Sequence, residues 1–171
     1  MKNLIVIDMQ KDFVNGSLGS AAAQSIVPGV EKKLSEGGYD RVIFTFDTHF
    51  DNYSDTLEGK KLPVPHCIKG TDGWETALDK SLLTGHELIE KNTFGYVGWK
   101  EKLGLLGGGD SIEVVGLCTD ICVVSNALLL RAAYPDVPIT VDASCCAGTS
   151  DEAHKAALTV MKSCQIDVVN E

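Results

Sequence analysis

Basic residues are scarce in this sequence. Fifteen Lys and Arg stand against 24 Asp and Glu, giving a formal net charge of −9. A nucleic-acid partner normally requires a positive patch, so none is expected. No apolar run approaches the roughly 18 residues that span a bilayer, so no membrane partner is expected either. The first apolar run, Leu4 to Ile7, stops at Asp8. That is short of the roughly 7–15 apolar residues of a secretory signal, and the expected location is the cytoplasm. Internal repeats, linkers and low-complexity segments are missing. So is a G-x-x-x-x-G-K-[ST] loop, which makes Asp151-Glu152-Ala153-His154 a helix start rather than part of an NTP site. Gly107-Gly108-Gly109 precedes a strand pattern and reads as a turn. A C-x-x-C redox pair is absent, because Cys118 and Cys122 are spaced C-x-x-x-C.

What is present fits one domain spanning residues 1–171, with 44% hydrophobic residues. The six cysteines are Cys67, Cys118, Cys122, Cys145, Cys146 and Cys164. They sit in apolar or helical contexts and are expected to be reduced thiols, most of them small buried hydrophobes.

Apolar β-rich runs alternate with helical patterns. Strands are expected at Leu4–Ile7, Arg41–Phe46, Glu87–Glu90, Ser111–Val115, Pro138–Val141 and Ile166–Val169. Helices are expected at Ser25–Glu36 with Pro28 near the start, at Trp74–Leu83, Trp99–Leu106 and Thr119–Ala133, and from a Thr149 or Ser150 cap to Ser163. Six continuous apolar strands separated by helices predict an α/β fold. It is a doubly wound, Rossmann-like, mostly parallel sheet with helices on both faces. The one long irregular stretch, Thr48 to Gly73, is long enough to be functional.

In such sheets ligands bind beyond the carboxyl ends of the strands, where strand order reverses. Those ends carry Asp8, then Asp47 and His49, then Lys91, then Gly116 to Cys122. If Thr119 caps the long helix, Cys122 is its third residue. There the partial positive charge of the first turn lowers a thiol pKa, and unpaired N–H groups can hold an oxyanion. Cys118 lies before that cap. The competing reading of Cys122 is a buried helical cysteine. In the common strand order 3-2-1-4-5-6, Asp8 faces Cys122 as a proton acceptor, and Lys91 stabilises the ionised pair. Taken singly, Asp8 also reads as a strand-end turn residue and Lys91 as a solvated charge. His86 and His154 are expected to be solvated.

Three segments together carry more. Val6-Ile7-Asp8-Met9-Gln10-Lys11-Asp12-Phe13, Glu90-Lys91-Asn92-Thr93-Phe94-Gly95 and Gly116-Leu117-Cys118-Thr119-Asp120-Ile121-Cys122-Val123 resemble, in order, the motifs of the nicotinamidase and isochorismatase-like cysteine hydrolases. Asp142 to Met161 is similar to that family's C-terminal stretch. The resemblance implies a catalytic triad of Asp8, Lys91 and Cys122. It implies thiolate attack on an amide, release of ammonia and hydrolysis of the thioester. It also implies a cis Leu117–Cys118 peptide and an oxyanion hole built from the N–H groups of Cys118 and Cys122. True isochorismatases lack the nucleophilic cysteine.

Asp47 and His49 stand at i and i+2, so in extended chain their side chains share one side. Glu58 and His66 follow on the long loop. Two imidazoles and two carboxylates suit zinc, or manganese or iron with added waters. The spacing alone leaves ordinary polar loop residues open as a reading. The resemblance implies a divalent metal on Asp47, His49, Glu58 and His66, holding the ring nitrogen of nicotinamide while Phe13 packs on the ring. The expected activity is deamidation of nicotinamide to nicotinate and ammonia, within NAD salvage, by a homo-oligomer acting on a small amide. The alternatives are hydrolysis of another small amide or carbamoyl compound with the same triad, or a catalytically idle small-molecule-binding relative.

Overall fold

Six parallel strands form one sheet in the order β3-β2-β1-β4-β5-β6 in the computed structural model, which describes all residues from Met1 to Glu171. The strands are β1 (Lys2–Ile7), β2 (Arg41–Asp47), β3 (Glu87–Lys91), β4 (Ser111–Leu117), β5 (Ile139–Ala147) and β6 (Asp167–Val169). All five neighbouring pairs are parallel. The α-helices are α1 (Lys11–Val14), α2 (Ala21–Glu36), α3 (Leu57–Lys61), α4 (Trp99–Leu103), α5 (Val124–Ala133) and α6 (Asp151–Ser163).

The period-2 alternation of a strand sends β1 side chains to two cores. Leu4 and Val6 join Ile26 and Val30 of α2 on one face. Ile5 and Ile7 join Leu103 of α4, Leu130 of α5 and Met161 of α6 on the other. Each fully buried Leu, Ile or Val contributes about 1.5–3 kcal/mol, so both layers are strongly held. In β5 the register against β4 shifts between Val114 and Gly116. The shift sends Cys145 to the α2 face and Cys146 to the other, and all six cysteines are free thiols.

Gly116 sets the approach of β4 to β1. Its φ is 119°, and a Cβ there would lie 2.1 Å from the Ile7 carbonyl oxygen. Glycine alone lets the chain run that close. The Ile7–Gly116 pairing places Asp8 at the end of β1 beside the Leu117–Cys118 segment that ends β4.

Several expected elements differ. The helix expected at Trp74–Leu83 is two short 3-10 turns, Asp72–Trp74 and Lys80–Leu83. Between them Thr76 bridges Gln10, with Lys11 N–H donating to the Glu75 carbonyl and Ala77 N–H to Met9, so backbone pairing with the end of β1 overrides local helix preference. Helix α2 begins at Ala21, where Ser20 Oγ accepts the Ala23 N–H at 3.0 Å, and it continues through Pro28 on its exposed side. Helix α4 stops at Leu103 because Gly104 turns with φ 70°. Thr119 caps nothing. Cys118 stands at the cap position, and Thr119–Val123 forms a π-helical turn before α5.

Candidate active site and metal centre

The carboxyl ends of β1, β2, β3 and β4 bring the expected residues together. Asp8 leaves β1 with a left-handed φ of 47°. Its N–H donates to the Thr45 carbonyl at 3.1 Å, and Thr45 Oγ1 donates to Asp8 Oδ1 at 2.7 Å. Two bonds to β2 thus hold this uncommon backbone in place. Lys91 ends β3, with its Nζ 2.6 Å from Asp8 Oδ2, 3.7 Å from Cys122 Sγ and 3.8 Å from Asp47 Oδ1. The Asp8 and Lys91 side chains are 0% and 1% exposed.

Burial governs the electrostatics. It pushes the Asp8 carboxyl above its usual range despite the Lys91 charge beside it. It also pushes the Cys122 thiol well up, with the Asp8 charge adding to the effect. The expected depression of the thiol pKa at a helix start therefore does not hold. The cause is desolvation, which outweighs the neighbouring ammonium. Burial disfavours the charged Lys91 too, but Asp8, Cys122 and Asp47 overcome it and hold the ammonium. Thiol, carboxyl and ammonium thus form one enclosed cluster through which a proton can pass.

The turn that carries Cys122 is wide. The Cys118 carbonyl accepts both Ile121 N–H and Val123 N–H at 3.1 Å, and the Leu117–Cys118 peptide is cis. Thr119, fully buried, exchanges a 2.8 Å hydrogen bond with His154 Nδ1 of α6. His154 is therefore half-buried and bonded rather than solvated, and burial lowers its pKa. His86 is exposed, as expected.

Asp47, His49, Glu58 and His66 converge a few ångströms from Lys91, with one donor atom from each lying within 4.8 Å of the others. His49 Nε2 is 3.0 Å from Asp47 Oδ2 and 3.7 Å from Glu58 Oε1. His66 Nε2 is 3.4 Å from Asp47 Oδ2 and 3.6 Å from Glu58 Oε1. Donors about 2.1 Å from one tetrahedral ion stand about 3.4 Å apart, so this set fits a single divalent cation. The ring orientation fits as well. His66 Nδ1 pairs with the Val64 carbonyl at 2.9 Å, which leaves Nε2 facing the cluster.

Neighbours that the sequence reading missed build this geometry. Gln10, fully buried, accepts the Asp47 N–H at 2.7 Å and donates to the Asp47 carbonyl at 2.8 Å, as a neighbouring strand would. Asp12 Oδ2 accepts the N–H of Cys67, which follows His66, at 2.8 Å. The Tyr53 ring packs in T-shaped contact with the His49 and His66 rings, with centroids 4.9 and 5.1 Å away. Glu58 reaches the cluster because α3 packs on the Tyr53 turn, where a Cβ on Gly59 would lie 2.1 Å from the Tyr53 carbonyl oxygen. Gln10 and Asp12 lie inside the first motif, which is a usable signal. Tyr53 had none.

A cavity of about 370 Å³ opens beside the cluster, lined by Thr48, His49, Phe50, Tyr53, Glu58 and Asn92 among others. Phe13 packs on the His66 ring at 5.4 Å between centroids. A larger hollow of about 630 Å³, near Leu106 and Tyr134, lies among the loops entering β4 and β5, away from these reactive groups.

The description "Isochorismatase domain" matches residues 2–170. The nicotinamidase/pyrazinamidase of Mycobacterium tuberculosis is 29% identical over 99% of this chain and 98% of its own length. The nicotinamidase of Schizosaccharomyces pombe is 26% identical over 98% and 92%. Among solved structures, the pyrazinamidase of Pyrococcus horikoshii in complex with zinc superposes with a TM-score of 0.78 at 26% identity, covering 99% of each chain. The nicotinamidase/pyrazinamidase of Bacillus subtilis gives a TM-score of 0.79 at 27% identity, again covering 99% of each.

Proposed function

As this chain belongs to the isochorismatase domain family, we propose that it is a cysteine amidohydrolase that deamidates nicotinamide to nicotinate and ammonia. The observation that carries this reading is the buried contact of Lys91 with both Asp8 and Cys122, set beside a four-residue metal cluster. The nicotinamidase names of the relatives support the same substrate.

In the proposed reaction the Cys122 thiol gives its proton to Asp8, and the thiolate attacks the amide carbonyl carbon. Lys91 balances the charge as it moves. The N–H groups of Cys118 and Cys122 receive the oxyanion. The carbon–nitrogen bond breaks, Asp8 delivers the proton to the departing amine, and ammonia leaves a thioester on Cys122. Asp8 then takes a proton from water as the water attacks the thioester carbonyl. The carbon–sulfur bond breaks and Cys122 regains a thiol. The raised pKa of Asp8 suits it to both directions of transfer. Asp47, His49, Glu58 and His66 would hold a divalent cation, with zinc the proposed ion. When bound, it supplies a Lewis acid that orients a ring nitrogen. Phe13 packs against the aromatic ring of the substrate.

The whole activity sits in one domain, residues 1–171. Six free thiols support a reducing, cytoplasmic setting, and the acidic balance supports a small-molecule rather than a nucleic-acid partner. Nicotinate release supports a role in NAD salvage. The proposed assembly is a homo-oligomer, and exposed Phe50, Leu57 and Val97 are the apolar positions to test for burial in it.

Ammonia release from nicotinamide, pyrazinamide and carbamoyl amides tests the reading. Nicotinamide turnover is expected, and Cys122→Ala is expected to abolish it while the fold persists. Activity of Cys122→Ala within tenfold of wild type would end the thioester mechanism. Turnover of the carbamoyl compounds alone would move the substrate to another amide.

A further inference from the structure

Lys91 and Cys122 come from strands that are not neighbours. In the order β3-β2-β1-β4, two strands lie between them. At about 4.8 Å per strand their parent strands are about 14 Å apart, so sheet hydrogen bonds set their separation only indirectly. A direct tie runs above the sheet, from α5 to the segment that follows Lys91, through the Asn126 side chain.

Asn126 is fully buried. Its Nδ2 donates to the Cys122 carbonyl at 2.8 Å and to the Phe94 carbonyl at 3.1 Å. Its Oδ1 accepts from Tyr96 N–H at 2.9 Å and from Trp99 Nε1 at 3.1 Å. Both amide hydrogens and both oxygen lone pairs are thereby used, the full capacity of the group. One amide thus grips the nucleophile's own carbonyl and three points of the chain from Phe94 to Trp99. A buried amide with every bond made fixes geometry rigidly, and losing any part of it is costly.

We propose that Asn126 is a positioning residue that fixes the Lys91 segment against the Cys122 turn and so sets the 3.7 Å contact between ammonium and sulfur. The proposal rests on the reading of Cys122 and Lys91 as nucleophile and assisting cation. Asn126 touches no reacting atom. It acts by holding two separately folded segments in one register. Asp47, His49, Glu58 and His66 lie on β2, on α3 and on the loops beside them, and none of them bonds to Asn126.

Asn126→Leu keeps the approximate volume and removes all four hydrogen bonds. Tyr134→Phe is the comparison. It removes two bonds in the same region, a buried one from Tyr134 Oη to the Trp99 carbonyl and a partly buried one to the Gly104 carbonyl, without touching the Cys122 turn. The metal-loaded wild type and both variants are assayed for kcat and KM on nicotinamide. Alkylation of Cys122 by iodoacetamide is followed against pH by peptide mass spectrometry, and circular dichroism checks folding. For Asn126→Leu, kcat is expected to fall at least about tenfold, the scale of a misplaced reacting group, while KM stays within about threefold. The pH midpoint of Cys122 alkylation is expected to move upward as Lys91 is released. Tyr134→Phe is expected to lower the melting temperature and leave kcat and the alkylation midpoint unchanged. A folded Asn126→Leu with wild-type kcat and alkylation profile overturns the proposal. So does a Tyr134→Phe that moves both as far as Asn126→Leu does. Alkylation needs no substrate, so this arm reads the positioning role even if the amide proves to be another.

Discussion

Lys91 Nζ and Asp8 Oδ2 meet at 2.6 Å with both side chains sealed from solvent. A salt bridge so buried adds little net stability by itself, yet breaking one side of it leaves an uncompensated charge in a medium of low polarity. The pair therefore makes both the fold and the chemistry sensitive to a single atom change.

Asp8→Asn keeps the side-chain shape and removes the carboxylate. Lys91 is left buried without its nearest counter-charge, at a cost of about 3–5 kcal/mol in unfolding free energy. With the proposed proton acceptor gone, turnover is expected to fall at least about a hundredfold. Alkylation of Cys122 near neutral pH is expected to slow as well. Urea unfolding, steady-state kinetics and alkylation rates measure the three effects. Unchanged turnover and alkylation would show that Asp8 and Cys122 do not work as a pair.

Glu58→Ala separates the metal cluster from the thiol chemistry. Glu58 Oε1 stands 3.7 Å from His49 and 3.6 Å from His66, on a helix that contributes nothing to Cys122. Loss of this donor is expected to weaken metal binding at least about tenfold and to raise KM for nicotinamide. Iodoacetamide labelling of Cys122 is expected to remain near the wild-type rate. Elemental analysis after dialysis decides the first point, and equal metal content in mutant and wild type would remove Glu58 from the site.

Asp142→Asn tests the polar network on the far side of the sheet. Burial pushes the Asp142 carboxyl up, but hydrogen bonds from Lys33, Ser144 and Asn170 prevail and hold it below the usual carboxylate range. A carboxyl depressed in the folded state stabilises at pH values above its unfolded pKa, about 3.9, and that contribution is lost as pH falls through the folded value. The substitution is expected to cost about 2 kcal/mol at pH 7, because Lys33 loses one of two carboxylates, 2.9 Å away. The gap from wild type is expected to shrink steadily below about pH 4, where wild type loses the same charge. A gap that does not change between pH 7 and pH 3 would show that the Asp142 charge is not what Lys33 holds.

The sequence carried the frame of this molecule by itself. Alternating β-rich and helical runs are enough to specify a parallel sheet covered on both faces, because only that arrangement buries strands such as Leu4–Ile7 on each side. The strand-end rule then points to Asp8, Asp47, Lys91 and Cys122 without coordinates. Local pattern was insufficient where a distant backbone intervened. The Trp74–Leu83 segment has helical spacing, but its Thr76 pairs with Gln10 across more than sixty residues of chain. The extension of α2 back to Ala21 rests on a Ser20 cap that gives a weak signal ahead of three alanines. The thiol environment was also misjudged from sequence, since a position in a first turn says nothing of how deeply the fold buries it. Burial, the fourfold bonding of Asn126, the Tyr53 ring against two histidines and the side-chain bonds of Gln10 to the Asp47 backbone are tertiary facts. They arise where segments far apart in sequence converge. Residue type and spacing say which groups can bond, while distance and desolvation, set only once the sheet closes, decide which of them do.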